Sequence, residues 1–188
     1  MRKIEKPKQG EYPAYAIIHM KLLPDDGLLL KHLEDGFENV KKLILSLPEE
    51  KLLHKYAPEK WTIKELLVHI VDAERIYGYR ALCFARNEKT PLPGFEQDDY
   101  VAFSSANERS IESILKEYQA VRSATIALFE GFDDEALSRH GIANENKATV
   151  RALGYDIAGH ELHHTNIIRE KYLGLHDAGT IGSDSVIS

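Results

Sequence analysis

The stretch Thr62-Ile63-Lys64-Glu65-Leu66-Leu67-Val68-His69 begins with a helix start signal and continues with the spacing of a helix. Thr62 and Glu65 form the pair of a capping box, in which both side chains satisfy backbone N–H groups that the first helical turn leaves free. Downstream residues then recur at three- and four-residue steps: Leu66, His69, Ala73, Ile76 and Arg80. The pattern predicts a helix from Thr62 to about Arg86.

Three further segments repeat this helical spacing. They run from just after residues 24–26 to Pro48, from near Ser105 to Gly131, and from just after Thr149 to near Tyr172. Ser105 and Glu108 match a second capping box, which predicts the start of the third helix. No segment shows sustained alternation with a period of two, so no strand is predicted. We therefore expect an all-α protein, a four-helix bundle.

The predicted connections are long for such a bundle. They cover residues 48–61, 87–104 and 131–148. Each spans about 14 to 18 residues, whereas helices in bundles are usually joined by about 2 to 8. Such lengths permit a crossover between parallel neighbours and could close over one end of the bundle.

The chain also divides into a domain and two flanking segments. We expect the bundle domain over 24–173 and an extended arm on its surface over 1–23. A disordered tail is expected over 174–188, which is rich in Gly, Ser and Asp. At 188 residues with 43% hydrophobic content, the chain is long enough for one domain with a sizeable core.

Charge and hydropathy exclude several function classes. The 24 Lys and Arg residues are outnumbered by 30 Asp and Glu, for a net charge of −6. Without a basic run, nucleic acid and anionic membrane surfaces are poor partners. The longest apolar runs are about five residues, far short of the roughly 20 that span a bilayer. The first seven residues lack the apolar region of a signal peptide, so we expect a cytoplasmic protein.

The stretch Gly159-His160-Glu161-Leu162-His163-His164 holds three histidines within five residues. On a helix, His160 and His164 lie about 40° apart around the axis and about 6 Å apart along it, so both imidazoles can bind one ion. His163 is an alternative to His164, because residues three apart also share a face. Cys83 is the single cysteine, so a metal would be held by histidine and carboxylate.

The third ligand is predicted to be His69, which lies on the apolar stripe of the helix that begins at Thr62. The alternative is a hydrogen-bonded core histidine, the commoner role of a lone histidine on such a stripe. Three neutral imidazoles would leave a divalent ion at least one open position, as catalytic zinc requires. The remaining histidines are expected at the surface: His19, His32, His54, His140 and His176.

Glu161 is the candidate catalytic residue, for proton transfer beside His160 or for support of a metal ligand; the alternative is that it faces a neighbouring helix or solvent, since it lies about 100° from His160 around the helix. The string His160-Glu161-x-x-His164 matches the zincin metalloprotease signature, in which this glutamate is the general base. The metzincin form also needs glycine at 167 and histidine at 170, where this chain has Ile167 and Glu170. We therefore do not expect Glu161 to act as a zincin-type base, nor the protein to be a protease.

Three motifs in the same order resemble the DinB-like superfamily. They are Tyr56-Ala57-Pro58-Glu59-Lys60-Trp61-Thr62-Ile63-Lys64-Glu65-Leu66-Leu67-Val68-His69, Pro91-Leu92-Pro93-Gly94-Phe95-Glu96-Gln97-Asp98-Asp99-Tyr100-Val101 and Ile157-Ala158-Gly159-His160-Glu161-Leu162-His163-His164. The resemblance covers nearly the whole chain. It implies a four-helix bundle of up-down-down-up topology, with a divalent metal held by His69, His160 and His164.

The resemblance also implies a class of activity. The superfamily includes metal-dependent hydrolases and transferases that use the thiols bacillithiol or mycothiol, and its members are often homodimers. We therefore expect a small-molecule substrate, an ion of Zn, Ni, Fe or Mn, and either hydrolysis or transfer with a low-molecular-weight thiol as cosubstrate. The alternative is a non-catalytic protein that binds a metal or small ligand on the same scaffold.

Overall fold

The computed structural model describes residues 2–175, and its long helices form a bundle. The helices are α1 (Ile17–Leu22), α2 (Leu29–Leu45), α3 (Glu49–Leu52), α4 (Ile63–Ala85), α5 (Gln97–Ala102), α6 (Ile111–Glu130), α7 (Asp134–Ser138) and α8 (Val150–Ile167). Short turns of 3-10 helix occur at Ala14–Ala16 and Ala106–Glu108, and a π-helical turn at Ile168–Tyr172 continues α8. The predicted four-helix bundle is confirmed, with α2, α4, α6 and α8 as its members.

Two of the helix starts follow the signals in the sequence. The Thr62 hydroxyl accepts a hydrogen bond from the Glu65 backbone N–H at 3.1 Å, and the Thr62 N–H donates to the Glu65 carboxylate at 2.7 Å. At the start of α8, the Thr149 hydroxyl accepts from the Ala152 N–H at 3.3 Å. Local side chains therefore define where α4 and α8 begin.

The third helix begins later than predicted. Ser105 has a φ of +52°, in the left-handed region, and leads only into the short 3-10 turn that ends at Glu108. The actual cap of α6 is Ser110, whose hydroxyl accepts from the Ser113 N–H at 3.2 Å. Two serines five residues apart both offer a start signal, and the sequence pattern selected the wrong one.

Contacts along α2 establish its direction relative to two neighbours. Gly154 of α8 lies against Leu29, and Glu161 of α8 lies against Gly36. From the first contact to the second, the residue number rises by seven in both helices, so α2 and α8 run parallel. The backbone carbonyl of Leu33 accepts from Arg122 of α6.

One turn further along α2, the Phe37 ring lies 5.2 Å from the ring of Tyr118, an earlier residue of α6. Helices α2 and α6 are therefore antiparallel. Lys64 contacts the backbone just before α6, and Arg75 pairs with Glu117 within it at 2.5 Å, so α4 and α6 run parallel. The bundle thus has the up-down-down-up topology that the resemblance implied.

The apolar core is divided into two clusters along the bundle. One contains Leu29, Leu30 and Leu33 of α2 together with residues near the start of α8, and the other contains Phe37, Val40 and Ile44 with residues near the start of α4. Between them lies a buried polar layer, to which α4 contributes Glu74, α6 Arg122, and α8 His160 and Glu161. The candidate site belongs to this layer.

The predicted extended arm at 1–23 is helical over residues 14–22. Ala16, Met20 and Leu23 are buried with His19, and this spacing of three and four residues is that of an amphipathic helix. Ile4 is also buried, and its N–H donates to the Gly27 carbonyl at 3.0 Å. The N-terminal segment is therefore part of the core.

A small hairpin joins α7 to α8, although no strand was predicted. Strand β1 (His140–Ala143) pairs antiparallel with β2 (Asn146–Thr149), with His140 opposite Thr149. Its turn holds Asn144 and Glu145 at φ values of +47° and +61°. Strands of four residues are too short to show a period of two in the sequence, and the turn lacks the glycine that usually marks such a hairpin.

The described residues end at Leu175, so the predicted disordered tail lies almost entirely outside them. Gly174 has a φ of +65°, which agrees with the stop signal expected at the end of the last helix. No helix within residues 2–175 has the length and apolar character needed to cross a membrane.

Candidate metal centre

Helices α4 and α8 bring the three predicted histidines together. The Nε2 atom of His160 lies 3.1 Å from Nε2 of His69 and 3.1 Å from Nε2 of His164. A ligand atom from each of the three side chains lies within 4.8 Å of the others. His160 and His164 share a face of α8 because they are four residues apart, and antiparallel packing places the start of α4 against them.

Burial keeps these imidazoles neutral. His69 is 3% exposed and His160 is 7% exposed. Desolvation lowers the pKa of His69 to about 4 and, together with the neighbouring histidines, the pKa of His164 to about 3. It also holds the pKa of His160 well below its usual value. At neutral pH the rings therefore keep lone pairs that can bind a cation.

The nitrogen donors fit a divalent transition metal. A neutral imidazole nitrogen carries either a proton or a lone pair. Nε2 of His160 therefore has a single proton or a single lone pair to offer to its two neighbours, Nε2 of His69 and Nε2 of His164. Nδ1 of His164 is buried and has no hydrogen-bond partner among the described residues. Three neutral imidazoles form a ligand set that suits zinc, copper, iron or nickel.

His163, the alternative to His164, lies outside this cluster. Its ring centroid is 5.2 Å from that of His164 and 5.5 Å from that of His19, and none of its nitrogens belongs to the converging set. Of the two candidates, the structure therefore brings His164 to the other two histidines.

The Glu161 carboxylate is directed into a different cluster. Its Oε2 atom accepts from Arg122 at 2.6 Å and from the Tyr118 hydroxyl, and both partners are buried. Arg122 also binds Glu74 through two hydrogen bonds of 3.0 and 2.9 Å. The structure therefore does not bring Glu161 together with the histidines, and its contacts are those of a buried ion network.

His19, expected at the surface, is instead buried beside the cluster. Its Nδ1 atom lies 2.6 Å from Asp156 of α8, and its ring centroid lies 5.4 Å from that of His160. The spacing of His19 with Ala16 and Met20 was a signal that sequence reasoning could have used, since it predicts an amphipathic helix in the N-terminal segment.

A cleft of about 250 Å³ opens beside the histidines, and we call it the histidine cleft. One face of α4 contributes His69, Ala73, Tyr77 and Arg80, and α8 contributes His160. The spacing of four, four and three residues places these α4 side chains in one row. Ala73 is small, which leaves space between His69 and Tyr77.

The opposite wall of the histidine cleft comes from the predicted connections. Phe95 and Glu96 belong to the segment after α4, and Asn144 belongs to the hairpin turn. Leu92 and Ala143 join these two segments through a β-bridge. Glu96 and Asn144 are exposed, so the cleft opens to solvent. The long connections do close over part of the bundle, as their length permitted.

Fold and site together define a class of protein: a four-helix bundle in which three histidines converge, two of them at a cleft open to solvent. The chain belongs to the DinB superfamily, whose family model matches residues 32–168. The matched segment contains all three histidines, which confirms the resemblance seen in the sequence.

A named relative agrees with this membership. An Oceanobacillus iheyensis protein named "Putative metal-dependent hydrolase OB0413" is 25% identical over 137 residues, which cover 72% of this chain and 78% of the relative.

Two solved structures from Bacillus subtilis share the fold. YfiT, described as a probable metal-dependent hydrolase with an unusual four-helix bundle topology, matches with a TM-score of 0.69 at 16% identity, over 82% of this chain and 94% of YfiT. The DinB-like protein YjoA matches with a TM-score of 0.54 at 18% identity, over 78% and 90%. At these identities the two structures support the fold alone.

Proposed function

We propose that this protein is a metal-dependent hydrolase in which His69, His160 and His164 hold one divalent ion. The observation that carries the proposal is the convergence of three neutral imidazoles, two of which, His69 and His160, line a solvent-open cleft. The name of the Oceanobacillus iheyensis relative supports the same class of reaction.

The ligand count favours catalysis over a structural metal. Structural zinc sites are usually closed by four protein ligands, often cysteines. Among residues 2–175, no further histidine, cysteine or carboxylate joins the three-histidine group, and Cys83 is not part of it. A site with three protein ligands leaves room for a substrate or water.

The chemistry that a divalent ion would supply is Lewis-acid activation of a water or thiol nucleophile, whose pKa falls towards neutrality. The protein's own residues shape the surroundings. Burial raises the pKa of the Tyr77 phenol, so its hydroxyl stays protonated at the cleft and can donate a hydrogen bond. The Trp61 ring packs on His69 with centroids 4.8 Å apart, which restricts the orientation of that imidazole.

Elemental analysis tests the ligand assignment. Single alanine variants of His69, His160 and His164 should lose stoichiometric metal, with affinity weakened by at least about tenfold because each removes a direct ligand. His163→Ala is the matched control, since it changes the neighbouring histidine on the same helix and should retain the metal. Full metal content with unchanged affinity in all three variants would show the assignment to be wrong.

Activity is then measured on the metal-loaded protein with a panel of aryl esters and amides. We expect hydrolysis that chelation abolishes and metal restores. Repeating the assay with a low-molecular-weight thiol and an electrophile tests thiol transfer, which the family resemblance suggested. Turnover in the thiol arm alone would replace hydrolysis by transfer, and metal binding without turnover in either arm would favour a binding protein.

A further inference from the structure

Arg80 is a buried cation at the edge of the histidine cleft. Its side chain is 5% exposed, and it forms no ion pair with any residue in the described part of the chain. It donates one hydrogen bond, from Nη2 to the Pro93 carbonyl at 3.0 Å, and it lies over the Tyr77 ring at 5.8 Å. Within residues 2–175 its charge therefore has no counter-charge.

Burying a charge without a counter-charge costs free energy, and an anionic ligand that binds the charge would offset this cost. The guanidinium has five N–H donors, of which one is used by a residue in the described part of the chain. Their planar, forked arrangement matches the two oxygens of an anionic group and can bind both at once. Arg80 is therefore suited to an anion that enters the cleft.

Arg80 also lies between two adjoining spaces. The first is the histidine cleft, which it shares with His69. The second is a space of about 270 Å³, here called the apolar cleft, which Arg80 lines with Ile76, Leu92 and Phe95. Arg80 and Phe95 belong to both spaces. A ligand held at Arg80 can thus extend into the histidine cleft on one side and along an apolar wall on the other.

The surrounding charges favour a singly charged group. Glu96 lines the histidine cleft, and the negative charge of Asp98 acts on His69. Arg80 is the one cation among the residues that line this cleft. In the metal-free protein a doubly charged phosphate would meet more repulsion and find no second cationic side chain in the cleft lining, whereas a carboxylate matches the single arginine.

We propose that Arg80 binds a carboxylate of the substrate, with the reacting group in the histidine cleft and an apolar portion in the apolar cleft. The assignment of this ligand as substrate rests on the proposed hydrolase function. The carboxylate site itself requires only Arg80 and the two spaces, so it can be tested without metal.

The experiment is calorimetric titration of the metal-free, full-length protein with phenylacetate, phenylacetamide and phenyl phosphate. We expect saturable binding of phenylacetate and much weaker binding of the neutral amide and the phosphate. Arg80→Met should weaken phenylacetate binding by at least about tenfold, because it removes a charge-assisted, two-point contact. Arg109→Met is the matched control: Arg109 lines neither cleft and pairs with Glu117, so binding should change by less than about twofold.

Circular dichroism establishes that each variant is folded. If Arg80→Met does not fold, Arg80→Lys keeps the charge but loses the planar fork, and it should still weaken binding several-fold. Equal binding by wild type and the folded Arg80 variant, tighter binding of phenyl phosphate, or no saturable binding of phenylacetate would each overturn the proposal.

A second titration uses zinc-loaded protein. Phenylacetate binding that needs zinc and is unaffected at Arg80 would assign the carboxylate to the ion, which also overturns the inference. The proposed function fails separately, if elemental analysis finds no metal in the wild type.

Discussion

At the scale of single residues, burial opposes the protonation of the clustered histidines. The pKa of His69 falls from 6.5 to about 4 and that of His164 from 6.5 to about 3, with desolvation as the largest cause. At mildly acidic pH these histidines therefore stay neutral in the folded protein but are protonated in the unfolded chain. Acid should weaken both the fold and the proposed metal site.

The first prediction concerns the pH dependence of stability in chelator-treated protein. Between about pH 4 and 6.5 the unfolded chain binds more protons than the folded protein, so the free energy of unfolding rises with pH. The contribution is complete above 6.5 and is lost as the pH falls towards the folded values. Each histidine adds about 1.4 kcal/mol per pH unit.

Urea unfolding at pH 4.5, 5 and 5.5, between the folded and unfolded pKa values, measures this dependence. His164→Leu removes one of the titrating groups, so its slope should be shallower by roughly 1.4 kcal/mol per pH unit. His140→Leu, which changes an exposed histidine, serves as the control and should keep the wild-type slope. Identical slopes for wild type and His164→Leu would contradict the prediction.

At the scale of elements, the packing of α1 against α8 supports the histidine cluster from behind. Gly159 allows the close approach, because a Cβ atom there would lie 2.5 Å from the His19 carbonyl oxygen and 2.7 Å from the His19 Cβ. This contact holds His19 between Asp156 and His160. The N-terminal segment thus takes part in the site through a glycine on another helix.

The second prediction compares two glycines in the middle of long helices. Gly159→Ala should lower the free energy of unfolding by about 1–3 kcal/mol, because the backbone of α1 must move. Gly78→Ala places its Cβ where no atom lies within 4 Å, so it should stabilise α4 by up to about 1 kcal/mol. Denaturant titration of both variants checks the signs, and a neutral or stabilising Gly159→Ala would refute the close packing.

At the scale of the whole molecule, one arginine connects all four bundle helices. Arg122 of α6 binds Glu74 of α4, Glu161 of α8 and the Leu33 carbonyl of α2. The two carboxylates and the arginine are each at most 3% exposed in their side chains. Two buried negative charges therefore depend on one positive charge.

The third prediction is that Arg122→Met lowers the free energy of unfolding by about 3–5 kcal/mol at neutral pH, since it leaves both carboxylates without a counter-charge. Adding Glu74→Gln should recover part of this loss by removing one of the two charges. Arg75→Met, which breaks a more exposed pair, should cost no more than about 1 kcal/mol. A loss in Arg122→Met as small as in Arg75→Met would show that the network contributes little.

The fourth prediction concerns metal removal. Two apolar clusters form the core on either side of the polar layer, so the bundle does not depend on an ion for its apolar burial. Chelation should abolish activity while far-UV circular dichroism stays nearly unchanged. Global loss of helical signal on chelation would instead indicate a structural metal.

The sequence by itself determined the elements that depend on near neighbours. The Thr62 and Thr149 caps located two of the helix starts, and the four-residue spacing of His160 and His164 placed both rings on one face. These features are local, because capping and helical periodicity involve residues within one or two turns. Where two local signals competed, as at Ser105 and Ser110, the sequence pattern alone could not choose between them.

Only the tertiary structure decided which faces meet. His69 joins His160 because α4 and α8 pack antiparallel, and His19 is buried because α1 fits against Gly159. The same packing directs Glu161 to Arg122, away from the histidines that neighbour it in sequence. Contacts between residues far apart in the chain depend on how whole helices dock, which no local spacing encodes.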